Sequence, residues 1–151
     1  MAPGDVGEVY SKEGQFLGVG HLNPNSQILL RLLTRKMEPV DPSFFGGRIA
    51  GAAHRRKTFL QGKTNAYRIV NGEGDFLPGL IVDRYGETLV VQFLTAGMER
   101  VKGTLVDLLI SEFKPCSIYE RSDVAMRREE GSPEVTGLLF GKEVQIGRAH
   151  V

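Results

Sequence analysis

The sequence has very little cysteine, no excess of charge and no long hydrophobic run. Its one cysteine, Cys116, cannot form a disulfide within the chain, which is compatible with a reducing compartment. The formal net charge of +1 excludes a strong overall basic field, so any nucleic-acid surface must come from local clustering of basic residues. Because no signal peptide and no apolar run of membrane-spanning length is recognisable, we expect a cytoplasmic protein.

The stretch Ala66–Gly86, AYRIVNGEGDFLPGLIVDRYG, organises the chain. It predicts two strands on either side of a glycine-rich turn, because β-forming residues stop at Asn71-Gly72 and resume after Pro78-Gly79. The glycines of the turn suggest a backbone position that a Cβ atom would obstruct. The next segment, Leu89–Leu94, is nearly all apolar, which predicts a strand in the middle of a small sheet.

The first third of the chain predicts a separate β-module followed by a helix. Three short β-type runs with turn residues between them indicate an antiparallel meander or part of a barrel: Glu8–Tyr10, Phe16–Leu22 and Gln27–Leu33. Gly18 and Gly20 inside the second run predict a bulge or a close backbone approach. Asp41 is a plausible N-cap with Pro42 at the first helical position, and the helix is expected to reach Leu60.

The last third predicts a helix between strands. Apolar residues recur at three- and four-residue intervals over Met98–Phe113, Pro115 ends this helix, and Cys116–Glu120 returns as a strand. Leu138–Phe140 is a candidate for one more strand. The fold class is therefore α+β: a partial β-meander or barrel, a helical linker, and a small β-β-α-β sandwich with the helix on one face of the sheet.

No catalytic or metal-binding constellation is complete in this sequence. Glu73 and Asp75 form a close carboxylate pair, and we favour a turn in which these acids cap nearby amides. His21 and His54 do not stand at metal-ligand spacing to Cys116, so we expect no metal site. We expect Cys116, at the start of a strand, to be a buried structural residue.

Basic residues near three strand ends are the candidates for contact with RNA. Arginine can hold phosphate through its planar guanidinium, and a neighbouring aromatic ring can stack an unpaired base. Tyr67, Tyr85 and Tyr119 are close to several of these residues in sequence. The candidates are Arg31, Arg35, Lys36, Arg68, Arg84, Arg121, Arg127 and Arg128.

The alternative for the same arginines is internal ion pairing. Carboxylates available nearby in sequence are Glu73, Asp83, Glu120, Asp123 and Glu129. The helix carries a further basic triplet, Arg55-Arg56-Lys57, which either faces solvent at the helix end or contacts nucleic acid. The residues alone leave RNA contact and ion pairing open.

Four segments in this order and spacing resemble one enzyme family: AYRIV, GEGDFLPGLIVDRYG, LVVQFLTAGMER and CSIYERSDVAMRREEG. They resemble the RlmI-type class I SAM-dependent methyltransferases that modify cytosine C5 of large-subunit (23S) rRNA. The upstream part, including FLGVGHLNPNSQILLRLLTR, is similar to the N-terminal PUA domain of that family. The resemblance extends to about Val144.

The resemblance implies a domain organisation. Residues 1–37 would be a partial PUA-like domain, residues 38–64 a linker helix, and residues 65–144 the central α+β domain. The Rossmann-like catalytic domain would be absent from this chain, and with it the SAM loop and the cysteine nucleophile. The implied cofactor is SAM for the full-length family and none for this chain. The implied partners are rRNA, the missing methyltransferase domain and, as an option, a second copy in a homodimer.

The last residues, 145–151, are expected to be a non-native tail. Codons for IGRAHV can reproduce the start of a common sequencing adapter, and a chance hexapeptide is the alternative. The implied function is the RNA-recognition portion of an rRNA methyltransferase, inactive by itself. The alternatives are a scaffold or dimerisation module with little RNA contact, and a gene fragment without function.

Overall fold

A computed structural model describes residues 1–143 of the 151-residue chain. The residues from 144 onwards, with the predicted non-native tail, lie outside the described part. The described elements form a three-stranded sheet, a five-stranded sheet and four helices. In chain order they are β1 Asp5–Tyr10, β2 Phe16–Leu22, β3 Leu30–Thr34, α1 Pro42–Leu60, β4 Ala66–Asn71, β5 Leu80–Tyr85, β6 Thr88–Phe93, α2 Ala96–Arg100, α3 Lys102–Phe113, β7 Ser117–Ser122, α4 Ala125–Glu129 and β8 Val135–Gly141.

The first sheet is the predicted antiparallel meander, in the order β1-β2-β3. The third strand begins at Leu30, three residues later than predicted, because the chain before it forms a turn. The two glycines of β2 behave as predicted. Gly18 has φ +156°, and a Cβ on Gly20 would lie 2.5 Å from the carbonyl oxygen of Arg31 on the neighbouring strand. The strands therefore approach too closely there for a side chain.

The second sheet has the order β4-β5-β6-β7-β8, with every pair antiparallel except β6 and β7. Strand β6 lies third of five and is buried at five of its six residues, which confirms the prediction of a central strand. The sheet has five strands, two more than the three of the predicted β-β-α-β sandwich. Strand β8 begins at Val135, three residues before the candidate strand Leu138–Phe140, and its residues pair with β7.

Helix α1 begins where the sequence predicts. The Asp41 carboxylate accepts a hydrogen bond from the backbone N–H of Phe44 at 2.9 Å, and Pro42 opens the first turn. Buried side chains Phe45, Ile49 and Ala52 join the core with residues of the five-stranded sheet. The helix is therefore packed into the fold from Phe45 to Ala52, which is more than the connection between two modules that the sequence suggested.

The predicted helix over Met98–Phe113 is divided into α2 and α3 at Val101. Thr95 caps α2 through its hydroxyl, which accepts a hydrogen bond from the N–H of Met98 at 3.2 Å. Leu105 and Leu109 of α3 are completely buried, as the apolar stripe predicted. Helix α4, in a charged segment without apolar periodicity, was not predicted.

The glycine-rich turn folds as a single 3-10 turn, Gly72–Asp75, rather than an open loop. Gly72 has φ +54°, a left-handed conformation that favours glycine. The nearest atom to a Cβ built on Gly72 is 3.9 Å away. The glycine is therefore required for its dihedral angles, and the predicted obstruction of a Cβ does not exist there.

The two sheets meet where His21 of β2 packs against α2 and α1. Its ring is 4% exposed, stacks on Phe45 with centroids 6.3 Å apart, and finds no hydrogen-bond partner for either nitrogen among the described residues. Burial, reinforced by the nearby Arg100 cation, lowers the pKa of His21 to about 4. The imidazole is therefore neutral at physiological pH and acts as a packing group.

Replacing Gly97 of α2 by alanine is expected to separate the two sheets. The new Cβ would lie 2.1 Å from Nδ1 of His21, whose side chain is buried, so the ring would have to shift. We expect a loss of about 2 kcal/mol or more in the free energy of unfolding, measured by urea denaturation. The matched control is Gly103→Ala in α3, where a Cβ meets nothing within 4 Å and which should stabilise slightly. Equal stability of the two variants would contradict this packing.

Candidate nucleic-acid interface

Asp75, at the end of the 3-10 turn, is a buried carboxylate held by two arginines of α1. Arg56 reaches its two oxygens at 2.5 and 2.7 Å, and Arg55 donates to one of them at 2.8 Å. The backbone N–H of Asn71 donates to the same carboxylate at 2.7 Å. The prediction that an acid of this turn caps a nearby amide is thus confirmed for Asp75. Two members of the basic triplet are committed to this ion pair.

The charge of Asp75 is stabilised by these contacts. Burial alone would raise its pKa, but the hydrogen bonds from Arg56, Arg55 and the Asn71 amide outweigh burial and hold the pKa at about 2. The carboxylate is therefore ionised at every physiological pH. It is suited to fastening α1 to the sheet and unsuited to general acid or base chemistry near neutrality.

Glu130, just after α4, connects the first sheet to the part of the fold that contains the five-stranded sheet. Its carboxylate is 3% exposed and accepts hydrogen bonds from Arg31 at 2.7 Å, Asn23 at 2.9 Å and Ser26 at 2.9 Å. Burial opposes ionisation, but these donors lower the pKa of Glu130 below its usual value. Arg31 is therefore part of a structural ion pair, and its Nη1 also lies 3.7 Å from Glu73.

Arg127 is the most deeply buried of the candidate residues. Its guanidinium donates to the carbonyl oxygens of Phe93 at 2.8 Å and Pro133 at 2.9 Å, and to the Glu99 carboxylate at 2.7 Å. Its side chain is 1% exposed. No phosphate can reach it without unfolding the segment around α4, so we do not retain Arg127 as an RNA contact.

The other candidates downstream of α1 also contact their own fold. Arg68 makes a two-pronged pair with Asp83 at 2.8 and 3.2 Å, and Arg84 donates to the carbonyl oxygen of Gly86 at 2.8 Å. Arg121 pairs with Asp123 at 3.2 Å and Arg128 with Glu134 at 2.9 Å. These pairs are partly exposed, so a phosphate could compete for the guanidinium groups at modest cost.

Arg35 and Lys36 differ from the rest. Both side chains are exposed after β3, and neither pairs with a carboxylate among residues 1–143. They border a groove of about 770 Å³ between the chain around β3 and the first half of α1. Arg48, Phe44 and Phe76 line the same groove. The sequence does not single out these three residues; its only local signal is an aromatic residue directly after an acidic turn.

The aromatic residues predicted to stack bases lie elsewhere. Tyr119 is 5% exposed within the sheet, so its ring is not available to a ligand. Tyr85 is 39% exposed and Tyr67 is half-buried. Phe76, at 61% exposed, presents more of its ring than any of the three tyrosines.

Cys116 is exposed, contrary to the prediction of a buried residue. Pro115 is buried in its place, and the thiol lies 3.1 Å from a carboxylate oxygen of Glu87. Hydrogen bonding to Glu87 raises the pKa of the thiol, which disfavours the nucleophilic thiolate.

Within residues 1–143, no group of three or more acidic, histidine or cysteine side chains is arranged to hold a metal ion. None of the helices described there is both long and apolar enough to cross a membrane.

Asp75→Asn is expected to destabilise the protein in a pH-dependent way. The folded-state pKa lies below the unfolded value of 3.8, so the charge stabilises the fold fully above that value and the effect is lost as pH falls towards 2. We expect the variant to be less stable by about 2 kcal/mol at neutral pH, with the difference shrinking below pH ~4. Urea denaturation across pH measures it. The control Asp123→Asn, in an exposed pair, should change little; a pH-independent difference for Asp75→Asn would contradict the ion pair.

Arg127→Met and Arg128→Met form a matched pair of neighbouring substitutions. The first removes three hydrogen bonds made by a buried guanidinium and should lower the free energy of unfolding by about 3 kcal/mol. The second alters a side chain that is 73% exposed and should change stability by about 0.5 kcal/mol or less. Thermal denaturation of both variants measures the difference. Similar melting temperatures would mean that Arg127 is not structural.

Comparisons with known proteins agree with the sequence motifs. A family model for PUA-like domains matches residues 1–35. Proteins named ribosomal RNA large subunit methyltransferase I are 44% identical over 141 residues in Shewanella amazonensis and 43% identical over 141 residues in Vibrio cholerae. Each alignment covers 92% of this chain but only 36% and 35% of the relative.

Solved structures share the fold at lower identity. A candidate SAM-dependent methyltransferase from Streptococcus mutans superimposes with a TM-score of 0.79 at 22% identity, covering 95% of this chain and 36% of that one. A methyltransferase structure complexed with SAH gives the same TM-score over 94% of this chain. The chain spans about a third of the length of the relatives it matches, and over that span it resembles the RlmI-type large-subunit rRNA methyltransferases, as its motifs predicted.

Proposed function

We propose that this chain is the RNA-recognition portion of a SAM-dependent methyltransferase that modifies cytosine C5 in large-subunit rRNA. The observation that carries the proposal is the 44% identity to an rRNA large-subunit methyltransferase across 92% of the chain. Methyl transfer and SAM binding would belong to the part of such an enzyme that this chain does not span. A protein that acts on ribosomal RNA works where ribosomes are assembled, so we place it in the cytoplasm.

The surface that supports RNA binding is the groove bordered by Arg35 and Lys36. Both cations are exposed and have no carboxylate partner among the described residues, so they can meet phosphate without breaking an existing ion pair. Arg68, Arg84, Arg121 and Arg128 are secondary candidates, because RNA would have to displace the partners they already have. We leave out Arg31 and Arg127, whose guanidinium groups are held inside the fold.

The double variant Arg35→Ala/Lys36→Ala is expected to weaken binding to 23S rRNA. Each lost phosphate contact should make the negative slope of log affinity against log salt shallower by about 1. The loss of affinity should be the same for all RNA sequences. Fluorescence anisotropy with a labelled rRNA fragment at several salt concentrations measures both quantities. Lys12→Ala/Lys63→Ala is the charge-matched control, because both lysines are exposed and lie outside the groove.

Affinity of the wild-type chain that does not change with salt would refute RNA recognition through phosphate. An equal effect of both double variants would refute the groove as the contact surface. A clear heat of binding with SAM in calorimetry would refute the assignment of the cofactor site to the rest of the enzyme.

A second candidate function is a scaffold or dimerisation module. It is favoured by the number of predicted arginines that pair within their own fold. Alanine at Arg68, Arg84 and Arg121, compared with the Arg35→Ala/Lys36→Ala variant, separates the two functions. Lost stability of the triple variant with unchanged RNA affinity in both variants supports the scaffold, and lost affinity with unchanged stability in either variant supports RNA recognition.

A further inference from the structure

The groove beside Arg35 and Lys36 has an aromatic rim that the proposed function does not by itself require. Phe76 follows the 3-10 turn and is 61% exposed, although it is a large apolar residue. Its backbone is left-handed, with φ +60°, a conformation that non-glycine residues rarely adopt. The backbone N–H of Phe76 is fixed by the carbonyl oxygen of Glu73 at 3.0 Å. The backbone of Phe76 is therefore hydrogen-bonded within the turn while its side chain is exposed.

Arg48 of α1 connects this ring to the wall of the groove. Its Nη1 donates to the carbonyl oxygen of Phe76 at 2.9 Å. Its guanidinium carbon lies 4.6 Å from the ring centroid of Phe44 and 5.5 Å from that of Phe76. Three flat groups, two rings and a guanidinium, are thus adjacent along one wall, and both kinds of group stack on nucleobases.

The charges around the groove favour an anion. Arg35, Lys36 and Arg48 supply three positive charges, and Glu38 and Asp41 supply two negative ones. The Glu38 carboxylate is engaged by the Thr34 hydroxyl at 2.6 Å, and that of Asp41 caps α1. Only the cations Arg35 and Lys36 remain without a partner among the described residues of this lining.

We propose that this groove binds one unpaired nucleotide of single-stranded RNA, with its base stacked on Phe76 and its phosphate on Arg35 and Lys36. The proposal rests on the proposed function and adds to it the kind of RNA that is read. An A-form duplex keeps its bases stacked inside, so an exposed aromatic ring gains nothing from double-stranded RNA. The groove volume of about 770 Å³ falls within the usual range of small-ligand sites.

The experiment uses the fact that the chain contains no tryptophan. Phe76→Trp places a single fluorophore at the proposed stacking position, and a base stacked on indole quenches its emission. We expect quenching on titration with single-stranded oligoadenylate and none with a blunt RNA duplex of equal length. The matched control is Phe59→Trp, at another exposed phenylalanine, 86% exposed on α1 and outside the groove, which should not be quenched.

A second variant measures the effect on affinity. Phe76→Ala should weaken binding of the single strand about tenfold by anisotropy, because base stacking on one aromatic side chain contributes a factor of that order. The ring is mostly exposed, so the variant should fold normally, and its circular dichroism and melting temperature verify this.

The outcomes separate the two proposals. If wild-type protein binds 23S rRNA but Phe76→Trp is not quenched and Phe76→Ala binds equally well, the nucleotide site is refuted and the proposed function stands. Equal quenching by duplex and single strand also refutes the nucleotide site. If the wild-type chain binds no RNA, both proposals fail.

Discussion

The carboxylate of Glu130 is the contact on which the arrangement of the two sheets depends. It lies after α4, next to the five-stranded sheet, and its three side-chain donors all belong to the first sheet or its loops. The first module, with its three short strands, is too small to bury much core by itself. A buried charge without donors would be strongly unfavourable, so docking that leaves Glu130 without its donors is disfavoured.

Ion pairing also determines which basic residues remain for a ligand. Burial of Asp75 and Glu130 requires nearby cations, and Arg55, Arg56 and Arg31 are held in place for that reason. The near-neutral net charge is thus distributed unevenly. Several arginines are held inside the fold, and Arg35 and Lys36, which have no described carboxylate partner, lie beside the groove at the end of β3.

Local chemistry explains what could be predicted from the sequence. The cap at Asp41, the strand β6 and the buried stripe of α3 depend on neighbouring residues, and each is present where the sequence indicated. The family resemblance was also readable, because several motifs recur in a fixed order. The existence of α4 was not, since its short charged segment has no apolar periodicity.

Long-range contacts explain what could not be predicted. Arg127 and Arg128 are adjacent in the chain, yet one is 1% exposed and the other 73%. Contacts of Arg127 with Phe93 and Glu99, which lie 34 and 28 residues earlier in the chain, distinguish the two. Cys116 was assigned to the core for a similar reason, because the sequence does not reveal that its neighbour Pro115 occupies that position.

The parallel pairing of β6 with β7 has a consequence for how the chain folds. Strands β4, β5 and β6 follow one another with short turns, so they can pair through contacts that are close in sequence. Strand β7 can join them only after the chain has returned through α2 and α3. Both β8 and Glu130 come later still in the chain. The N-terminal sheet, β1-β2-β3, is therefore expected to dock last, although its strands are synthesised first. The groove at the edge of that sheet would then be completed at the end of folding.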